Sequence, residues 1–219
     1  MTSADLQSER TKLRRKPERG AHDFETVAAI LDEGLFCHIG FVADGQPYVV
    51  PTTYGRDGRS LYIHGSAASR MLRALGAGVP LCLTVTLLDG LVLARSAFHN
   101  SMNYRSAMVL GVATAVDGDE RERGLRTIVE HVMPGRWADT RTPSAKELKQ
   151  TTVLRLPIDE ASAKVRSGAP VDEPEDVALP YWGGELPLRL LAGEPVADEH
   201  VADGVAVPEY IAAFRRPGT

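Results

Sequence analysis

The chain has 219 residues, with 25 Lys plus Arg against 29 Asp plus Glu, a formal net charge of −4. A hydrophobic fraction of 43% and a charged fraction of 25% are those of a globular protein with one large domain, or one domain plus an appendage. The mild acidity gives no overall pull toward nucleic acid or an anionic membrane, and no apolar run approaches the roughly 20 residues that span a bilayer.

Residues 1–22 are polar and basic, unlike a secretory leader, so a cytoplasmic location is expected. Cys37 and Cys82 each sit in an apolar run and read as reduced core thiols. Arg10 to Arg19 packs six cations into ten residues, which predicts a solvated, flexible basic arm over 1–22, the alternative being an arm that lies over a partner subunit or an anionic ligand. Asp23 then caps a helix with Phe24, Val27, Ile30 and Leu31 on one face, stopped by Gly34.

From there the period changes to that of strands. Phe36–Val42, Tyr48–Tyr54, Leu61–His64, Leu81–Leu88, Leu91–Phe98 and Tyr104–Val116 read as six strands, rich in Val, Leu, Thr and Tyr. Turn pairs at Asp44-Gly45, Asp57-Gly58 and Asp89-Gly90 join neighbours as antiparallel hairpins. A short helix at 69–76 interrupts the series. Beyond it lie a helix over Glu120–Val132, a capping box at Ser144 and Glu147, and a strand over Thr152–Leu156. Seven of the 14 prolines fall between Pro170 and Pro217, so 167–219 reads as an extension that wraps the barrel or a partner. The domain proper spans 23–166. This is a mainly β, α+β pattern, and closure into a barrel with peripheral helices would hide the strand edges.

Two segments carry chemistry. Tyr48–Arg70 runs strand, turn, strand into a small-residue loop, Gly65 to Ala68, ahead of Ser69-Arg70. Its backbone N–H groups, hydroxyls and one guanidinium suit a phosphate, although an ordinary hairpin followed by a helix cap has the same pattern. Arg95–Gly111 crowds Ser96, His99, Asn100, Ser101, Asn103, Tyr104, Arg105 and Ser106 at a strand junction, an arrangement suited to a planar heteroaromatic ligand. Dinucleotide, P-loop, nucleophile-elbow and His-Glu-x-x-His motifs are absent, and the six histidines have no ligand spacing, so no metal site is expected. With aromatics at 6% and cations concentrated in the arm, no nucleic-acid site is expected.

YVVPTTY at Tyr48–Tyr54, LYIHG at Leu61–Gly65, Ser69-Arg70, SMNYRSAMVLG at Ser101–Gly111, HVMPGRW at His131–Trp137 and Tyr181-Trp182-Gly183-Gly184 occur in that order. This series resembles the FMN-binding split barrels of the pyridoxamine 5′-phosphate oxidase superfamily, over roughly residues 10–190. Within it, the chain looks most like the flavin-nucleotide-binding branch that includes nitroimidazole-resistance (Nim-type) proteins. The resemblance implies a six-stranded antiparallel split barrel and a homodimer with flavin sites at its interface.

The same resemblance implies residue roles. Gly65, Ser66, Ser69 and Arg70 would surround the FMN phosphate, and Val50, Pro51, Thr52, Thr53 and Tyr54 would lie along the isoalloxazine. Ser106, with Tyr104 and Arg105 nearby, would contact the flavin; Trp182 would come from the other subunit, and His64 would face the substrate as the catalytic candidate. Relatives that oxidise pyridoxamine phosphate carry an Arg and a Lys on the strand aligned with Tyr48–Tyr54 and Ser-Arg-Lys in the loop; this chain has Val49 and Tyr54 there, and Met71 follows Arg70. A true pyridoxine-phosphate oxidase is therefore not expected. The implied function is an FMN oxidoreductase acting on nitroaromatic or other small oxidants, with deazaflavin or haem as alternative cofactors and non-catalytic storage or sensing as the alternative role.

Overall fold

The computed structural model describes residues 6–215. In chain order the elements are β1 (Gly20–Ala21), α1 (Phe24–Glu33), β2 (Cys37–Ala43), β3 (Gln46–Thr52), β4 (Tyr54–Asp57), β5 (Ser60–Ser66), α2 (Arg70–Gly76), β6 (Leu81–Leu93), β7 (Ser101–Gly111), β8 (Thr114–Ala115), α3 (Gly118–Val132), α4 (Ala145–Gln150), β9 (Thr151–Pro157), β10 (Glu160–Arg166), β11 (Gly184–Pro187) and α5 (Glu209–Ala212). They form two antiparallel sheets. The larger has the order β1-β10-β7-β6-β2-β3, with β11 on the end of β6, and the smaller β4-β5-β9-β8. The protein is thus mainly antiparallel β with helices, an arrangement consistent with a split barrel.

The helices form where the sequence supplies caps. Asp23 accepts from the Thr26 N–H at 2.8 Å to start α1. Ser144 and Glu147 close a reciprocal capping box at α4. Val27, Ile30 and Leu31 of α1 and Leu72 and Leu75 of α2 enter one core with Ile39, Leu61, Leu83, Val109, Leu154 and Leu156 from both sheets. Burying each such side chain contributes about 1.5–3 kcal/mol. On the other side of the small sheet, α3 covers Tyr62 and Val153 with Leu125 and Ile128.

Three expectations are corrected. The strands number eleven among the described residues, against the six of the expected barrel plus Thr152–Leu156: β1, β10 and β11 are additional, Leu81–Leu88 and Leu91–Phe98 are a single β6, Tyr104–Val116 divides into β7 and β8, and Tyr48–Tyr54 divides between β3 and β4 at Thr53. A chain that must leave one sheet for the other has to break its ladder there. Asp89-Gly90 is a bulge inside one continuous β6, where Leu88 opposes Tyr104 and Gly90 opposes Asn103. Glycine is needed because a Cβ at Gly90 would stand 3.0 Å from the Leu186 carbonyl of β11.

The basic segment is the third correction. From residue 6 onward its backbone is docked, with Leu6 1% exposed, its carbonyl accepting from Ala161 N–H at 3.0 Å, and Arg10 paired with Glu160 of β10, while Arg10, Lys12, Arg14, Arg15 and Lys16 stay exposed as expected. Its residues 1–5, and 216–219 of the C-terminal extension, lie outside the described residues. Among the described residues no helix is long and apolar enough to cross a membrane.

Candidate functional site

Alternation along the strands sorts the large sheet into an inner and an outer face. On β2, Cys37, Ile39 and Phe41 are buried inward. The register then carries His38, Gly40 and Val42 outward with Pro51, Val49 and Pro47 of β3. Thr84 and Cys82 of β6 continue those rows, followed by Met108 and Leu110 of β7. Thr86 and Leu88 opposite Ser106 and Tyr104 complete the face. Its outward positions on β2, β3, β6 and β7 contain no Asp, Glu, Lys or Arg, although a quarter of the chain is charged. Val49 is 69% exposed and Val42 54%. Charge returns at the margin, on β10, where Lys164 opposes Ser106 and Glu160 opposes Leu110, and on Arg10 paired with Glu160.

At one end of this face the surface sinks into a groove of about 600 Å³, lined by Gly40, Val49, Cys82 and Leu110 with Tyr48 and Arg10 at its walls. Tyr48 stacks on Phe41 with ring centroids 5.5 Å apart. On Tyr48 lies Arg70, whose Nη1 donates to the phenol oxygen at 2.8 Å and whose guanidinium carbon is 5.1 Å from the ring centroid. The first residue of α2 is thereby tied to β3. Beside it, Ser66 Oγ accepts from Ala68 N–H at 3.2 Å, and Ser69 Oγ accepts from Leu72 N–H at 3.5 Å.

His64 lies on β5 of the small sheet, opposite Val153 of β9 and ahead of the loop into α2. Its Nδ1 is buried without a hydrogen-bond partner. Burial alone pushes its imidazole below the ordinary pKa, so the ring is neutral at pH 7. A buried polar nitrogen with no protein partner calls for a hydrogen-bonding group from outside the chain. This is the observation by which the residues at the β5–α2 junction fit a polar cofactor.

The structure divides the expected site residues. Val50, Pro51 and Thr52 on β3, Thr53 at the sheet crossing, and His64, Gly65, Ser66, Ser69 and Arg70 at the β5–α2 junction occupy successive, linked segments. Tyr104 and Ser106 belong to the outer face, separated from β3 by β6 and β2, with Ser106 Oγ 3.4 Å from the Lys164 carbonyl. Trp182 is 67% exposed in the extension, its ring folded back against Gly184.

Two side chains are committed elsewhere. Tyr54 is fully buried and donates to the Leu31 and Gly34 carbonyls, at 2.5 and 3.0 Å, at the end of α1. Arg105 turns to the inner side, where it holds Glu33 and, at 2.8 Å, Asp89. Hydrogen bonds from its guanidinium to Asp89 and Glu33 push its pKa up. Both residues work here as braces of the fold. The arginine–tyrosine stack and the uncharged sheet face are the features that sequence reading missed. Counting charges along alternate positions of 38–51 and 82–110 would have found the face.

The sequence profile of the pyridoxamine 5′-phosphate oxidase family matches residues 23–165. Among solved structures, the flavocytochrome Anf3 from Azotobacter vinelandii is 42% identical, over 95% of this chain and 97% of its own, with a TM-score of 0.89. The FAD and heme binding protein from Mycobacterium smegmatis is 37% identical over 88% of this chain and 95% of its own, with a TM-score of 0.85. A protein assigned to 5-nitroimidazole antibiotic resistance in Bacteroides thetaiotaomicron is 25% identical over 67% of this chain and 86% of its own, with a TM-score of 0.55. No curated protein sequence matches. The chain belongs to the pyridoxamine 5′-phosphate oxidase family.

Proposed function

We propose that this chain is a flavin-binding redox protein that also carries haem and acts as a homodimer joined through its uncharged sheet face. The observation that carries the reading is that face, bordered by the Arg70–Tyr48 stack. A monomeric surface of this extent with no charge on four strands is costly to leave in water, and a second copy supplies the matching apolar surface. Likeness over nearly the whole chain to a flavocytochrome and to an FAD- and heme-binding protein supports the two cofactors.

In this reading the flavin is FMN or FAD, which share the phosphate next to the ribityl chain. Arg70, with Ser66 and Ser69, binds that phosphate, and the backbone of Val50–Thr53 addresses the polar edge of the isoalloxazine. The case rests on the guanidinium and hydroxyls, because α2 has only seven residues to lend a dipole. His64 Nδ1 offers a hydrogen bond on the substrate side. Tyr104 and Ser106 face the contact between copies, and Trp182 of the second copy closes it. When bound, the flavin supplies hydride and one-electron chemistry and the haem one-electron chemistry, while the protein binds, orients and excludes water.

The substrate class is a small oxidant, nitroaromatic, quinone or dioxygen. Anaerobically reduced protein mixed with each oxidant in a stopped-flow instrument tests the activity. Reoxidation of the bound flavin faster than that of free flavin is expected. Rates equal to free flavin for all three would mean a storage or sensing protein instead.

A further inference from the structure

Residues 9–19 hold six cations and two glutamates, a net of +4, in a chain whose net charge is −4, so the other residues together carry −8. This run is held in place at both ends. Leu6 donates to the His22 carbonyl and accepts from Ala161 N–H, each at 3.0 Å, and His22 Nε2 lies 3.2 Å from the carbonyl of Thr11, itself 2% exposed. At the far end Gly20 pairs with Lys164 of β10, and the Leu13 side chain packs where a Cβ at Gly20 would stand 3.3 Å from it. Between these anchors Lys12, Arg14, Arg15 and Lys16 are exposed. Arg10 pairs with Glu160 and Lys12 lies 3.9 Å from Glu9; Arg14, Arg15 and Lys16 have no ion pair among the described residues.

The run is thus a seated cationic loop, and it starts at the rim of the uncharged face, where Arg10 lines the wall of the groove beside Tyr48 and Val49. We infer that the loop over residues 12–16 is the docking surface for an acidic one-electron carrier protein, which delivers reducing electrons to the bound flavin. This inference rests on the flavin reading proposed above and adds the partner that supplies the electrons.

The character of the loop selects this class of partner. Cations at fixed positions suit a folded partner whose carboxylates are also fixed, and opposite charge speeds association without needing an apolar contact. Encounters between electron carriers are of this kind, small and transient. Residues 9–19 contain no aromatic side chain on which a nucleic-acid base could stack. Their one large apolar residue, Leu13, packs against Gly20 rather than pointing free to enter a membrane. Away from the loop the excess of negative charge turns an acidic protein aside and directs it here. Two encounters oxidise two carriers by one electron each and reduce the flavin by two, with its protons drawn from water. The small oxidant of the reading above then takes the electron pair.

The test uses the full chain with its cofactors and a plant-type two-iron ferredoxin as the acidic carrier. Wild type is compared with Arg14→Glu/Lys16→Glu and with a control, Arg126→Glu/Lys146→Glu, which makes the same change of net charge at exposed positions of α3 and α4. Calorimetric titration with oxidised ferredoxin reads association, and stopped-flow mixing with reduced ferredoxin reads electron delivery. Arg14→Glu/Lys16→Glu is expected to lower both affinity and rate by at least about tenfold, with reduction by dithionite, flavin content and urea unfolding unchanged. The control should match wild type, and raising salt from about 20 mM to about 300 mM should slow the wild-type ferredoxin reaction by about tenfold or more. Equal ferredoxin affinity and rate in wild type and Arg14→Glu/Lys16→Glu, with flavin bands present, would overturn the inference and leave the flavin reading intact. Retention of a DNA duplex or of phosphatidylserine vesicles that is lost in that variant, with ferredoxin binding unchanged, would overturn it in favour of that partner. Wild type without flavin bands would fail the flavin reading; loss of ferredoxin affinity in Arg14→Glu/Lys16→Glu would then still support the docking surface, and equal affinity would overturn it as well.

Discussion

Arg70 lies on the ring of Tyr48, joined to it both by a 2.8 Å hydrogen bond to the phenol and by stacking of the guanidinium at 5.1 Å. One contact links the loop after β5 to the edge strand β3, the two segments between which the flavin is proposed to bind. It also orients the only arginine of the loop. In the proposed site the loop brings one guanidinium to the phosphate, and Tyr48 fixes its position.

Arg70→Ala is therefore expected to weaken flavin binding by at least about tenfold, or about 1.4 kcal/mol, measured by fluorescence titration. Tyr48→Phe keeps the stacked ring and removes only the hydrogen bond, so it should cost less than Arg70→Ala. Equal affinity of Arg70→Ala and wild type would move the phosphate elsewhere.

Tyr54 illustrates a residue whose sequence motif and whose work differ. Its hydroxyl serves two carbonyls at the end of α1, and His131 packs on its ring at 4.6 Å while also bonding the Gly34 carbonyl. Tyr54→Phe leaves the Leu31 carbonyl without that donor and is expected to destabilise the protein by about 1–3 kcal/mol in urea unfolding. Flavin affinity should be unchanged, because the phenol is buried away from the cofactor surface.

His64 and His131 both titrate below the ordinary imidazole value, with burial as the main cause. Unfolded, each takes a proton near pH 6.5; folded, each takes it only at lower pH. Across that interval the unfolded chain binds more protons, so their contribution to stability is complete above about pH 6.5 and is lost as pH falls toward the folded pKa values. Carboxylates such as Glu160, held low first by its hydrogen bond from Arg10, act only in the more acidic range below their ordinary pKa. Urea midpoints measured from pH 7.5 to pH 5 should fall, and His131→Gln, which keeps a donor for Gly34, should flatten that fall. A flat wild-type profile would contradict the assignment.

Val49 is 69% exposed on the outer face of β3. In a monomer, Val49→Glu is a surface substitution worth no more than about 0.5 kcal/mol. In a dimer it puts a carboxylate into an apolar contact. Sedimentation is expected to show twice the 23.7 kDa chain mass for wild type and the single chain for Val49→Glu, with haem retention falling in parallel. Identical masses for the two proteins would remove the proposed interface.

The sequence exposes the fold well where local chemistry decides it. Asp23, the Ser144–Glu147 pair and the alternating runs around Cys37 and Leu83 mark their elements because caps and periodicity act over a few residues. Pairing over distance is less visible. β10 reads weakly because Glu160–Arg166 is Ala- and Ser-rich, and it becomes a strand only by lying between β7 and β1. Asp89-Gly90 has the composition of a turn, and only the passage of β11 makes it a bulge. Arg105 looks like a ligand-binding cation in a polar segment, yet its partners Glu33 and Asp89 are 72 and 16 positions away. The hydroxyls and Arg70 of the proposed phosphate loop are visible in the sequence; Tyr48, which anchors that arginine from another strand, is not.

The central claim is that one chain holds both a flavin and a haem, and the absorption spectrum of the purified protein tests it most directly. The account predicts flavin bands together with a Soret band, and flavin and haem in comparable amounts after extraction. A colourless protein that takes up neither added flavin nor added haemin would contradict it.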